Sequence, residues 1–165
     1  MAIKRMNHAV LYVRDAERTF VFYRDVLGFR LVGEIPQAGA KFLQAPDSTN
    51  DHDLALFTIG AGAGDSTAGR QTVGLYHIAW EVQTLGDLQE IALKLANEGA
   101  MVGATDHSTT KALYAKDPDG LEFEVCWIVP KEYLSDEVVA AKTQLRPLNL
   151  DADIARYGAD TVGGL

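Results

Sequence analysis

Cysteine occurs once, proline five times, and positive charge is in short supply, with 15 Lys and Arg against 23 Asp and Glu. The single cysteine, Cys126, excludes an internal disulfide and fits a reducing compartment. A formal net charge of -8 repels nucleic acid, and no stretch gathers enough Lys and Arg to counter that field locally. No apolar run approaches the ~20 residues that a membrane-spanning helix needs. The opening MAIKRMNHAVLYV has only a brief apolar run beside charged residues, so it does not read as a signal peptide. Low-complexity tracts and coiled-coil heptads are missing as well. These absences predict a soluble cytoplasmic protein whose partners include neither nucleic acid nor a membrane.

The 165 residues, 47% apolar and 23% charged, suffice for one domain with a sizeable core or for two small modules sharing one. An internal repeat points to the modules. NHAVLYVRDAERTFVFYRDVLGFRLVG near the N-terminus and YHIAWEVQTLGDLQEIALKLANEGAMVG from Tyr76 follow one plan. Each has a His at the head of a strand-like run, a polar break, a helical stretch, a Gly and a second short strand. His8 and His77 are 69 residues apart, Gly28 and Gly99 are 71 apart, and Gly33 and Gly103 are 70 apart.

In the first helix Phe20, Tyr23, Val26 and Leu27 form the apolar stripe, with Asp15 as N-cap and Gly28 in the left-handed position that ends it. In the second, Thr84 and Asp87 form a capping-box-like pair and Gly99 closes the stripe of Leu88, Ile91, Ala92 and Leu95. Strands are predicted over 29–34, 40–45 and 53–59, and again over 100–105, 110–116 and 121–128. Each half is thus βαβββ. The boundaries are module one at 1–60, a Gly/Ala/Ser/Thr-rich linker at 61–72, module two at 73–129 and a C-terminal extension at 130–165. Past Pro130 the pattern is lost, leaving a weak helix over 131–142 and a tail wrapped on the surface.

His8 and His77 occupy matching positions in the opening strands. If a pseudo-twofold axis relates the modules, these side chains converge near it, and a metal could draw one ligand from each half. A third ligand is expected from the last strand of module two, DPDGLEFEVCW, where Glu124 lies four residues past Gly120. Glu122 shares its face and competes for the role. A lone His on an apolar strand is more often a core or surface residue than a ligand, but two at repeat-equivalent positions change that balance. A buried Glu124 carboxylate needs a cation, for which Lys116 and Arg5 are the ordinary alternatives. The last strand of module one, Leu54 to Phe57, offers no metal-binding group. Two His and one carboxylate leave coordination positions open, which suits non-heme Fe(II) and oxygen chemistry, whereas a structural zinc site is closed by four ligands.

From about Met6 to Trp127 the sequence resembles the vicinal oxygen chelate superfamily, which includes glyoxalases, fosfomycin-resistance proteins and extradiol dioxygenases. The paired modules, the FYRDVLGF helix end and the DPDG-x-x-x-E strand carry the resemblance together. It is closest to the catalytic domain of type I extradiol (catechol 2,3-) dioxygenases. The resemblance implies an α+β fold, with two βαβββ modules forming a paired, partly closed mixed-sheet cavity like a barrel in a single domain. It implies a metal triad of His8, His77 and Glu124, and Fe(II) as the metal, with Mn(II) or another divalent ion as alternatives. His52, in NDHDLALF, matches the family's acid/base. Tyr114, six residues before Gly120, and His107 match groups that hydrogen-bond substrate oxygens. The expected partners are a catecholic substrate and O₂, in a homodimer or higher homo-oligomer whose sites form within one chain or between chains. Side chains such as Tyr12, Phe42, Ala79 and Trp80 are candidates for pocket lining. Two other readings stand beside this one. A glyoxalase-like divalent-metal lyase or isomerase expects a fourth ligand where LALF has none, and a metal-free drug-binding protein has no use for the triad.

Overall fold

The helices of the two modules begin at the caps that mark them in the sequence and end at or one residue before the marking glycine. In the computed structural model, which describes residues 2–164, helix α1 spans Ala16–Leu27. The Asp15 carboxylate accepts from the backbone N–H groups of Glu17 and Arg18, and Gly28 follows at φ 77°. Helix α2, Leu85–Asn97, carries the full Thr84–Asp87 capping box.

The chain divides into two units, Met1–Ser66 with Asp117–Gly120, and Thr67–Lys116 with Leu121–Leu165. The first contains strands β1 (Ala9–Val13), β2 (Arg30–Ile35), β3 (Ala40–Gln44) and β4 (Leu54–Thr58) in the order β1-β4-β3-β2. β1 runs parallel to β4, and the other pairs are antiparallel. Leu11, Val13, Leu43, Leu54 and Leu56 are buried, as are Phe20, Tyr23 and Val26 of α1, which covers this sheet.

The second unit repeats the topology with β5 (Ile78–Glu81), β6 (Met101–Asp106), β7 (Thr110–Lys116) and β8 (Glu122–Ile128), in the order β5-β8-β7-β6. Its core joins Leu113, Phe123, Val125 and Trp127 to Leu85, Leu88 and Leu95. The strands of the described residues form two separate mixed sheets and no closed barrel. None of their helices is long and apolar enough to cross a membrane.

The C-terminal extension is better ordered than its sequence suggested. The expected helix over 131–142 shortens to α3 (Asp136–Ala140). Strand β9 (Arg146–Pro147) then pairs with β6, and α4 (Leu150–Tyr157), capped by Asn149, packs on α2. The tail is fixed by Gly163 N–H donating to the Gln83 carbonyl and Gly164 N–H donating to that of Ile128.

Candidate metal centre

In the second unit the strand register sets the site. Glu124 on β8 stands beside Ala79 of β5 and opposite Tyr114 of β7, so the three share one face. Trp80, beside Val125, lies on the other face, because neighbouring strand residues point to opposite sides. It therefore does not line this face with Ala79.

His77 precedes β5, and its Nε2 lies 3.1 Å from Glu124 Oε2, with both side chains largely buried. Adjacent donors on an octahedral ion with bonds of about 2.1 Å are separated by about 3.0 Å, so the pair already has the spacing of two neighbouring ligands. His77 Nδ1 is buried without a hydrogen-bond partner. Leaving such an atom unpaired costs roughly 1–3 kcal/mol, so this His is not a fully satisfied core residue. The competing carboxylate is otherwise engaged. Glu122 accepts from the Tyr76 hydroxyl, which holds that phenol above its ordinary pKa. Of the cations expected as partners for Glu124, Arg5 donates to Thr49 Oγ1, and Lys116 lies opposite Glu122, not Glu124, in the strand register.

Tyr114 places its ring 5.9 Å from that of His77 and its hydroxyl 3.0 Å from His107 Nε2. Burial, and then the nearby Glu124 charge, raise the Tyr114 pKa, which keeps the phenol protonated as a hydrogen-bond donor. His107 lies in the β6–β7 turn beside Ser108, whose φ of 69° is the one positive value for a non-glycine among the described residues.

The first unit brings the other two histidines together. The rings of His8 and His52 are 4.4 Å apart, and Phe42 sits edge-on to His52 at 5.1 Å. His8 Nδ1 is 2.7 Å from the Asn7 side-chain oxygen, and His52 Nδ1 is 2.9 Å from an Asp51 oxygen. Both partner oxygens accept, so Nδ1 is the donor in each ring. His8 is exposed, whereas His52 is only 15% exposed at its side chain. Asn7, Asp51 and Tyr76 were not singled out from the sequence. Their signal was adjacency, since each precedes one of the histidines in the chain. Among the described residues, no group of three or more His, Cys, Asp or Glu side chains is gathered closely enough to hold an ion.

The Glyoxalase/Bleomycin resistance protein/Dioxygenase superfamily model matches residues 5–125. The chain belongs to this superfamily. It is 36% identical over 118 residues to biphenyl-2,3-diol 1,2-dioxygenase 3 of Rhodococcus globerulus, covering 70% of this chain and 59% of that protein. Catechol-2,3-dioxygenase of Bacillus subtilis is 28% identical over 120 residues, covering 73% of this chain and 40% of its own length. The chain thus spans less than two thirds of these relatives. Among solved structures, a glyoxylase/bleomycin resistance protein/dioxygenase domain from Frankia sp. superposes with a TM-score of 0.63 at 20% identity, covering 76% of this chain and 92% of that one. Fosfomycin resistance proteins of the FosX type share the fold at similar identity.

Proposed function

We propose that this chain is an Fe(II)-dependent extradiol dioxygenase of a catechol-like substrate, with His8, His77 and Glu124 as the metal ligands. The region involved is one vicinal oxygen chelate domain of two modules, 1–60 and 73–129, joined by the linker 61–72 and followed by the extension 130–165. The observation that carries the reading is the His77–Glu124 pair, already at ligand spacing and free of Lys or Arg partners in the described contacts. The names of the relatives, a biphenyl-2,3-diol 1,2-dioxygenase and a catechol-2,3-dioxygenase, support it.

Fe(II), when bound, would supply Lewis acidity toward the substrate oxygens and an open position for O₂. The chain's own groups supply the rest. His52, with its proton held at Nδ1 by Asp51, offers Nε2 as the base that takes a proton from a catechol hydroxyl. The Tyr114 hydroxyl, kept protonated, donates to a substrate oxygen, with His107 fixing its direction. Tyr12, Phe42 and Phe57 form an edge-to-face aromatic row beside His52 that can hold an apolar ring and exclude water.

The test is anaerobic loading with Fe(II), addition of a panel of catechols and then oxygen. O₂ uptake and the visible absorbance of ring-opened product are followed together. Turnover of at least one catechol is expected, and His52→Phe should keep its iron while losing about 100-fold in rate. Stoichiometric iron without turnover of any catechol overturns the reading.

A further inference from the structure

The family match stops at residue 125, and beyond it the chain builds β9 and α4 onto the second sheet. The contact that ties this addition to β7 is Lys111, which is 2% exposed. An ammonium so deeply buried persists only with anionic partners. Its Nζ lies 2.6 Å from Asp106 Oδ1 and 3.3 Å from Asp153 Oδ1 of α4, and 5.8 Å from the Tyr157 ring. Asp106 ends β6 and is paired in register with Arg146 of β9, whose guanidinium is 3.6 Å from its second oxygen.

The same Asp106 oxygen that meets Lys111 also accepts from Ser108 N–H at 2.7 Å. It thereby braces a left-handed conformation that a non-glycine residue holds at some cost. His107 sits inside this turn, its N–H donating to the Thr110 carbonyl and its Nε2 meeting the Tyr114 hydroxyl. Lys111 shares the face of Trp127 and Tyr114 the face of Glu124, so the ion network lies behind the sheet and the His107–Tyr114 pair in front. The turn links the two.

The structure assigns to the C-terminal segment Arg146–Tyr157 the role of a positioning element for the His107–Tyr114 pair, acting through Asp153, Lys111 and Asp106 as positioning residues. Its effect on substrate rests on the dioxygenase reading above. Its effect on the His107 ring does not.

The experiment uses the full chain with ¹⁵N-labelled histidine and follows the four ring resonances, His107 being assigned through Tyr114→Phe. Asp153→Asn and Lys111→Met should move or broaden the His107 signals toward those of Tyr114→Phe, with His8 and His52 unmoved. Asp153→Glu should restore them. Gln89→Ala removes the hydrogen bond that α2 donates to Asp151 of the same helix without touching the network and should leave His107 unchanged. On a turned-over catechol, Asp153→Asn should raise KM by about three- to tenfold at unchanged metal content. Unaltered His107 signals in folded Asp153→Asn and Lys111→Met overturn the proposal, whatever the catechol result. Should both variants fail to fold, Arg146→Gln reads the same resonance from the exposed end of the network. A shift there supports the proposal, and no shift overturns it. Absence of catechol turnover in the iron-loaded parent protein removes the dioxygenase reading alone.

Discussion

Across β2, β3 and β4 of the first sheet one row of side chains reads Gly33, Phe42 and Ala55, while the matching row of the second sheet reads Gly103, Tyr114 and Glu124. The first row continues to Val10 on β1 and the second to Ala79 on β5. Even the irregularities coincide, since the register slips between Leu31 and Gly33 in one sheet and between Met101 and Gly103 in the other. The backbone has been kept while two of the row positions have changed chemistry. Phe42 supplies a ring where Tyr114 supplies a ring with a donor, and Ala55 stands where Glu124 carries a carboxylate. Two substitutions between the rows therefore separate an apolar wall from one that carries a phenol and a carboxylate.

The largest effect is expected from erasing that difference in the second row. Glu124→Ala leaves His77 without its charged neighbour and should lower affinity for Fe(II) or Mn(II) at least about 100-fold, read by metal analysis after equilibrium dialysis. Retention of stoichiometric metal would show that the comparison with Ala55 has no bearing on ligation. The reverse change should hurt stability instead. Ala55 is 1% exposed, so Ala55→Glu buries a carboxylate without a cation and should cost about 2–4 kcal/mol in urea unfolding at pH 7. The penalty belongs to the ionised form, whose pKa would be raised above its unfolded value of about 4.3. Stability relative to the parent should therefore recover as pH falls toward that value and worsen as pH rises. An Ala55→Glu protein as stable as the parent at pH 7 would mean that the first row is not closed to charge.

Much of this contrast was legible in the sequence. The caps at Asp15 and Thr84, the stripes behind them and the turn at Gly120 are local chemistry, and they place both helices and the strands that follow. The offset near 70 residues places His8 and His77 in register, and the lack of a ligand in LALF already distinguishes the two last strands. What the sequence left open was pairing. Glu122 and Glu124 share a face of β8, and that Glu124 meets His77 while Glu122 acts on Tyr76 is a matter of side-chain placement that no spacing rule encodes. The order of the extension is hard to read from sequence for another reason. Asn149, the Leu150–Ile154–Tyr157 stripe and Gly158 are ordinary start, face and stop signals, but eight residues are few for a helix and its stability comes from packing on α2.

The extension also makes the two units unequal at the ends of their last strands, and a glycine there reports it at the smallest scale. Beyond β8 the chain returns so that a Cβ on Gly163 would lie 2.6 Å from Trp127 Nε1 and 2.7 Å from the Ile128 carbonyl oxygen. Beyond β4 it runs into a segment where Gly62 and Gly64 have nothing within 4 Å. Trp127 is fully buried and cannot give way without disturbing the core, and the carbonyl belongs to the sheet. Gly163→Ala should therefore push the tail off, costing about 1–3 kcal/mol. The Trp127 indole N–H, which donates to the Thr161 carbonyl, would then lose its partner. Unfolding curves and a red shift of tryptophan emission measure both consequences. Gly62→Ala and Gly64→Ala should stay within about 0.5 kcal/mol of the parent. Equal effects at all three positions would mean that the tail is not clamped on Trp127, and that the second unit owes its C-terminal stability to α4 alone.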